Sequence, residues 1–157
     1  MNTPDHSLIP RSVYIHIPWC LKKCPYCDFN SHAKDSSFDE AEYVDALRRD
    51  LEFSVVPVRT TPISSIFFGG GTPSLFSATS IATLLHELRR HLHFAPDIEI
   101  TLEANPGSFE VEKFKDYRQA GVNRLSLGVQ SFSDDALKRL GRVHDATQAQ
   151  HAIRTAL

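Results

Sequence analysis

Apolar and polar positions alternate with a period of two in several short stretches, and apolar positions recur at helical spacing between them. In residues 12–17, Val13, Ile15 and Ile17 share one face and Tyr14 and His16 the other, the pattern of a strand with one buried side. Residues 97–104 repeat it, with Ile98, Ile100 and Leu102 set against Glu99, Thr101 and Glu103. So do residues 123–130, with Leu125, Leu127 and Val129 against Ser126, Gly128 and Gln130. A fourth β-rich run, SSIFFG, covers residues 64–69. Helices are predicted over about residues 38–54, 78–92, 109–119 and 133–140. The second has the clearest stripe, in Ile81, Leu84, Leu85, Leu88 and Leu92. Ser37 with Glu40 reads as a capping box, Ser108 and Ser133 as N-caps, and Gly121 as a C-terminal cap.

Strand and helix therefore alternate four times, which predicts an α/β fold with a parallel sheet and right-handed crossovers. Strands covered on both faces would read as nearly continuous apolar runs; these have one polar face, so the helices are expected on one side only. A sheet covered on one side curls, as in a barrel of the TIM type or part of one, with a polar interior. Ligand chemistry in such folds gathers at the C-terminal ends of the strands. The loops there are the cysteine segment after the first strand, GGGTP at 69–73, EANP at 103–106 and QSF at 130–132. Glycines let backbone groups approach a ligand, and Glu103 and Gln130 are suited to bond its amino and hydroxyl groups.

Charge narrows the partners. Lys plus Arg number 17 against 19 Asp plus Glu, so the chain lacks the basic surface that neutralises a phosphate backbone, and no nucleic acid is expected. No apolar run approaches the ~20 residues of a transmembrane segment, and the N-terminus lacks an apolar signal core. A cytoplasmic protein follows, in which clustered cysteines bind metal or do redox chemistry more often than they form disulfides. All three cysteines, Cys20, Cys24 and Cys27, lie in YIHIPWCLKKCPYCDFN. Three thiolates leave one vertex of a tetrahedral site to be filled, and by themselves they also suit zinc completed by His16 or His32.

The spacing C-x3-C-x2-C with Tyr26 before the last cysteine resembles the cluster motif of radical SAM enzymes. YIHIPWC, CPYCDFNSHA, FFGGGTPSL, EANPG and GVQSF, in this order, resemble the coproporphyrinogen III dehydrogenase-like branch, and most closely its heme-chaperone members. The resemblance implies a [4Fe-4S] cluster on Cys20, Cys24 and Cys27, with the fourth iron left open for S-adenosylmethionine (SAM). It implies SAM contacts from Tyr14, Tyr26, Gly70, Gly71, Thr72, Glu103, Gln130 and Arg142. It further implies heme as cargo, heme-acceptor proteins as partners, some of them membrane-bound, and a one-electron reductant. The alternative within the branch is oxygen-independent decarboxylation of coproporphyrinogen III by a 5′-deoxyadenosyl radical. Decarboxylating members continue C-x-C after the third cysteine, where this chain has Phe29, which favours the chaperone.

The branch also implies a partial (β/α)6 barrel of about six units followed by a further domain. With four units present, residues 12–157 are expected to be the N-terminal portion of such a core and residues 1–11 an arm. A last helix, beginning near Thr147, reaches Leu157 without a cap. The sheet is then expected to be an open arc exposing an edge along RLSLGVQ, prone to association and weak in SAM binding on its own.

Overall fold

The computed structural model describes residues 11–35, 37–55 and 62–157; apart from Arg11, the arm expected over residues 1–11 lies outside the described residues. In chain order the elements are β1 (Ser12–Ile17), the two-residue strands β2 (Trp19–Cys20) and β3 (His32–Ala33), α1 (Glu40–Ser54) and β4 (Ile63–Gly70). A 3-10 turn (Pro73–Leu75), α2 (Ala78–His91), β5 (Phe94–Ala104), α3 (Ser108–Val111) and α4 (Phe114–Ala120) follow. The last are β6 (Arg124–Leu127), α5 (Asp134–Arg139) and α6 (Ala146–Ala156). The sheet is parallel and four-stranded in the order β1-β4-β5-β6, and among the described residues it is open at both edges.

Register explains how one face becomes core and the other a wall of the site. Val13 pairs with Ile66 and Ile66 with Ile100, while Ile15, Phe68, Leu102 and Leu125 form the next row. Ile66, Phe68, Ile100 and Leu102 are at most 1 % exposed and join Ile81, Leu84, Leu85 and Leu88 of α2 in one core. Each such side chain contributes about 1.5–3 kcal/mol by leaving water. The opposite face carries the row Tyr14, Phe67, Thr101 and Arg124, and Tyr14 is well exposed there. In-register parallel pairing also brings Ile17, Gly70, Ala104 and Leu127 to the same edge, so the loops that follow them share one mouth.

Some local expectations shift. The N-cap of α1 is Asp39, which accepts from the Glu42 amide at 3.0 Å, two residues beyond the expected Ser37–Glu40 box. Asp39 and Glu42 satisfy the same three-residue spacing, while Ser37 is bonded to Asp35 and Glu40 to the Ser77 amide and hydroxyl. Ser108 is the first residue of α3, with Gly107 as its cap, and the helix expected over 109–119 is broken into α3 and α4. Lys113 stands at the break and turns its ammonium to the Ser74 carbonyl at 3.0 Å. β6 ends at Leu127, so Gly128, Val129 and Gln130 leave the ladder the alternation had assigned them to. Ser133 and Gly121 cap as expected, Gly121 with φ of 115°. The final helix gains a capping box from Asp145 and Gln148.

Tyr117 of α4 fastens the glycine turn from behind. Its hydroxyl, fully buried, lies 2.8 Å from the carbonyls of both Ser74 and Phe76. Burial pushes its pKa far above the usual phenol range, so it remains a donor. Tyr117→Phe, which keeps the volume, is expected to lower unfolding free energy by ~1–2 kcal/mol in chemical denaturation. An unchanged midpoint would mean that Lys113 alone satisfies those carbonyls.

Candidate functional site

The cysteine loop hangs from a brace that the residue pattern did not reveal. β2 and β3 pair in parallel, Trp19 with His32 and Cys20 with Ala33, closed by bonds from the His32 amide to the Pro18 carbonyl (2.7 Å) and from the Lys34 amide to the Cys20 carbonyl (2.8 Å). Cys20 is thereby buried at the base of the loop, while Cys24 and Cys27 stand half-buried within it, joined by a turn from the Cys27 amide to the Cys24 carbonyl. Behind the brace, the Trp19 ring packs edge-on against Phe38 and Tyr43 at centroid distances of 5.0 and 4.5 Å. His16 ties the descending limb to β1: its Nε2 lies 2.8 Å from the Asn30 carbonyl and its Nδ1 2.9 Å from the Tyr14 hydroxyl. Since a carbonyl only accepts, Nε2 is the donor, and in the neutral ring Nδ1 accepts from Tyr14. Among the described residues no three His, Cys, Asp or Glu side chains converge as a single metal ion needs.

Gly70, Gly71 and Thr72 line the same cavity as these cysteines. All three amides are engaged within the protein: Gly70 donates to Glu103 Oε2 at 3.1 Å, Gly71 to the Ile17 carbonyl at 2.8 Å and Thr72 to the Trp19 carbonyl at 2.7 Å. The turn therefore has its carbonyls, not its N–H groups, to present to a ligand. A Cβ on Gly71 would lie 2.6 Å from the Trp19 carbonyl oxygen, so this glycine is required where the turn presses on the cysteine brace. Gly70 has φ of 119°.

Glu103 is half-buried, and burial raises its pKa against the opposing Gly70 amide and His16. Arg142, from the segment after α5, is the most heavily anchored residue of the site. Its Nη2 donates to Asn105 Oδ1 at 2.7 Å and to the Gly128 carbonyl at 2.6 Å; its Nη1 lies 3.4 Å from both Cys24 Sγ and the Tyr26 hydroxyl. Nε is buried without a partner. Burial raises the pKa of Tyr26, opposed by the Arg142 charge.

One cavity of about 440 Å³ is lined by Cys20, Cys24, Cys27, Tyr26, Gly70, Gly71, Thr72, Glu103, Gln130 and Arg142, a size ordinary for small-molecule sites. Tyr14 is the one expected contact outside this lining; it reaches the site through His16 and is close enough to Glu103 for that charge, after burial, to raise its own pKa. Asn105 was overlooked. It lies in the EANP loop, bonds Arg142 and reaches Thr72 Oγ1 at 3.4 Å. Its position immediately beyond a strand end, between Glu103 and a proline, was the available signal. Phe29, Ser126 and Gly128 complete much of the remaining wall.

The chain has close relatives. It is 54% identical over 153 residues to the heme chaperone HemW of Haemophilus influenzae, an alignment covering 95% of this chain and 40% of that protein. It is 52% identical over 149 residues to the heme chaperone HemW of Escherichia coli, with 95% and 39% covered. This chain thus spans about two fifths of the length of these relatives. Among solved structures, the coproporphyrinogen III oxidase HemN from Escherichia coli, a radical SAM enzyme, superposes with a TM-score of 0.83 at 30% identity, over 92% of this chain and 33% of that one. Residues 14–157 match the radical SAM superfamily. That match runs through every loop that lines the cavity, and the chain belongs to the radical SAM superfamily.

Proposed function

We propose that this chain is the cluster- and SAM-binding part of a heme chaperone, which binds heme and passes it to acceptor proteins. The observation that carries the reading is the single cavity in which three thiols from one loop face polar groups from the ends of the other strands. The donor set fits the cofactors that membership of the superfamily implies. When bound, a [4Fe-4S] cluster with one iron free of protein ligand supplies a one-electron centre and an anchor for the amino and carboxylate groups of SAM.

The chain's own residues then divide the work. Cys20, Cys24 and Cys27 hold the cluster, and the Arg142 guanidinium beside Cys24 offsets thiolate charge. Tyr26, in the cavity lining, would hold the adenine of SAM. The carbonyls of Gly70 and Gly71, the Thr72 hydroxyl, Glu103 and Gln130 would receive its polar groups, with Tyr14 acting from outside the lining through His16. Heme is the cargo; a one-electron reductant and acceptor proteins, including membrane-bound ones, are the partners. No helix among the described residues is long and apolar enough to cross a membrane. Residues 12–157 form the N-terminal portion of the core in this reading.

Two observations favour the chaperone over the decarboxylating enzyme. Phe29 lines the cavity wall where decarboxylating members continue their cysteines. Identity is 54% and 52% to heme chaperones against 30% to the oxidase. The deciding experiment is a visible spectrum of anaerobically reconstituted protein, alone and with heme, followed by incubation with coproporphyrinogen III, SAM and a reductant. Retained heme without substrate turnover is expected. Decarboxylation with 5′-deoxyadenosine release would transfer the reading to the enzyme. Glu103→Ala and Gln130→Ala are each expected to weaken SAM by ~1–3 kcal/mol with the cluster retained, as polar partners are left unsatisfied. Native affinity in both would make them rim residues only.

A further inference from the structure

Gln130 has φ of 67°, the one non-glycine among the described residues in the left-handed region. Such a backbone is strained for a residue with a Cβ and persists only where its surroundings hold it. The next stretch of chain does the holding. Arg142 Nη2 donates to the Gly128 carbonyl and His144 Nε2 to the Val129 carbonyl at 3.0 Å, directly before the strained peptide. The Ser131 amide donates to the same Val129 carbonyl at 2.9 Å. His144 is 4% exposed. Its Nδ1 is buried with no partner, and because a carbonyl only accepts, Nε2 carries the N–H that Val129 receives. Burial lowers the His144 pKa and the Arg142 charge lowers it further, against the Val129 bond and Asp145. The capping box of Asp145 and Gln148 starts α6 directly after His144, and Ala149 and Ala152 bury that helix. The helix therefore docks without needing the imidazole.

We propose that His144 is a positioning residue: by holding the Val129 carbonyl it fixes the strained turn that places the Gln130 side chain in the wall of the cofactor cavity. Gln130 lines that cavity and His144 does not, so His144 acts only through the turn. The inference rests on the reading of the cavity as a SAM site.

The test measures SAM affinity by equilibrium dialysis on reconstituted protein, with iron content determined on each sample. His144→Leu is expected to weaken SAM about tenfold with iron unchanged, the consequence of losing one well-placed bond. His144→Gln, whose amide nitrogen occupies nearly the same place as Nε2, should recover most of the affinity. In the Gln130→Ala background, His144→Leu should add no further loss, because both act through one side chain. Amide exchange at residues 129–131, measured without SAM, should quicken in His144→Leu and not in His144→Gln. Native SAM affinity in His144→Leu, or an undiminished further loss in the Gln130→Ala background, would overturn the proposal. If the native protein bound no SAM, the cavity reading would fail, and the exchange data alone would decide whether His144 holds the turn.

Discussion

Cys24→Ala is expected to leave the chain folded while abolishing its ability to retain iron. Cys24 is half-buried in a loop at the cavity wall, beside the Arg142 guanidinium and the Tyr26 hydroxyl. Removing its sulfur therefore forfeits little apolar burial, well under the ~2–5 kcal/mol of a large core truncation. For the proposed cluster the loss would be decisive, because Cys20, Cys24 and Cys27 are the three thiols that would hold it and the chain has no fourth to substitute. The neighbouring donors do not replace it: both ring nitrogens of His16 are bonded within the protein. After anaerobic reconstitution, iron and sulfide per chain and the visible absorption should fall to background, with circular dichroism unchanged. Cys20→Ala should give the same loss of iron together with some loss of stability, since Cys20 is buried in β2. Iron content at the native level in Cys24→Ala would remove the cluster assignment altogether.

The parts of this structure that a linear pattern reveals are those set by periodicity and by single-residue chemistry. Period-two alternation in residues 12–17 and 97–104 assigned the core face correctly, because in-register parallel pairing repeats the same parity across the sheet, while of the polar positions only Glu103 reaches the cavity. Gly121 and Ser133 cap where expected because each acts within one turn of its own helix. What was hidden depends on partners distant along the chain. The β2–β3 brace consists of two residues on each side, too short for any period. The break between α3 and α4 sits where Lys113 reaches the Ser74 carbonyl, 39 residues away. Arg142, readable by itself as a solvated residue after a helix, is fixed by Asn105, Gly128 and Cys24. Of the backbone groups the glycine turn was expected to offer a ligand, the amides are consumed by Ile17, Trp19 and Glu103, which leaves the carbonyls.

That last difference leads to the largest stability effect expected from a single methyl group. Gly71→Ala would place a Cβ 2.6 Å from the Trp19 carbonyl oxygen and 2.8 Å from the Pro18 carbonyl carbon. Both are backbone atoms and have no rotamer by which to withdraw. They also cannot shift alone, because the Gly71 and Thr72 amides bond the Ile17 and Trp19 carbonyls on either side of the clash. The turn must separate from the brace, which gives up those bonds and loosens the packing of Trp19 on Phe76. Overpacking of this kind costs ~3 kcal/mol or more. Cys20 immediately follows Trp19, so the disturbance passes to the base of the cysteine loop and iron retention should fall together with the unfolding midpoint. This joint loss separates Gly71→Ala from Cys24→Ala, where iron is lost and stability is kept. Gly107→Ala is the matched control: its Cβ meets at 2.6 Å only the Glu110 carboxylate, the end of a side chain and not backbone, and both readouts should change less. Native stability and iron content in Gly71→Ala would show that the turn does not press on the cysteine brace in solution.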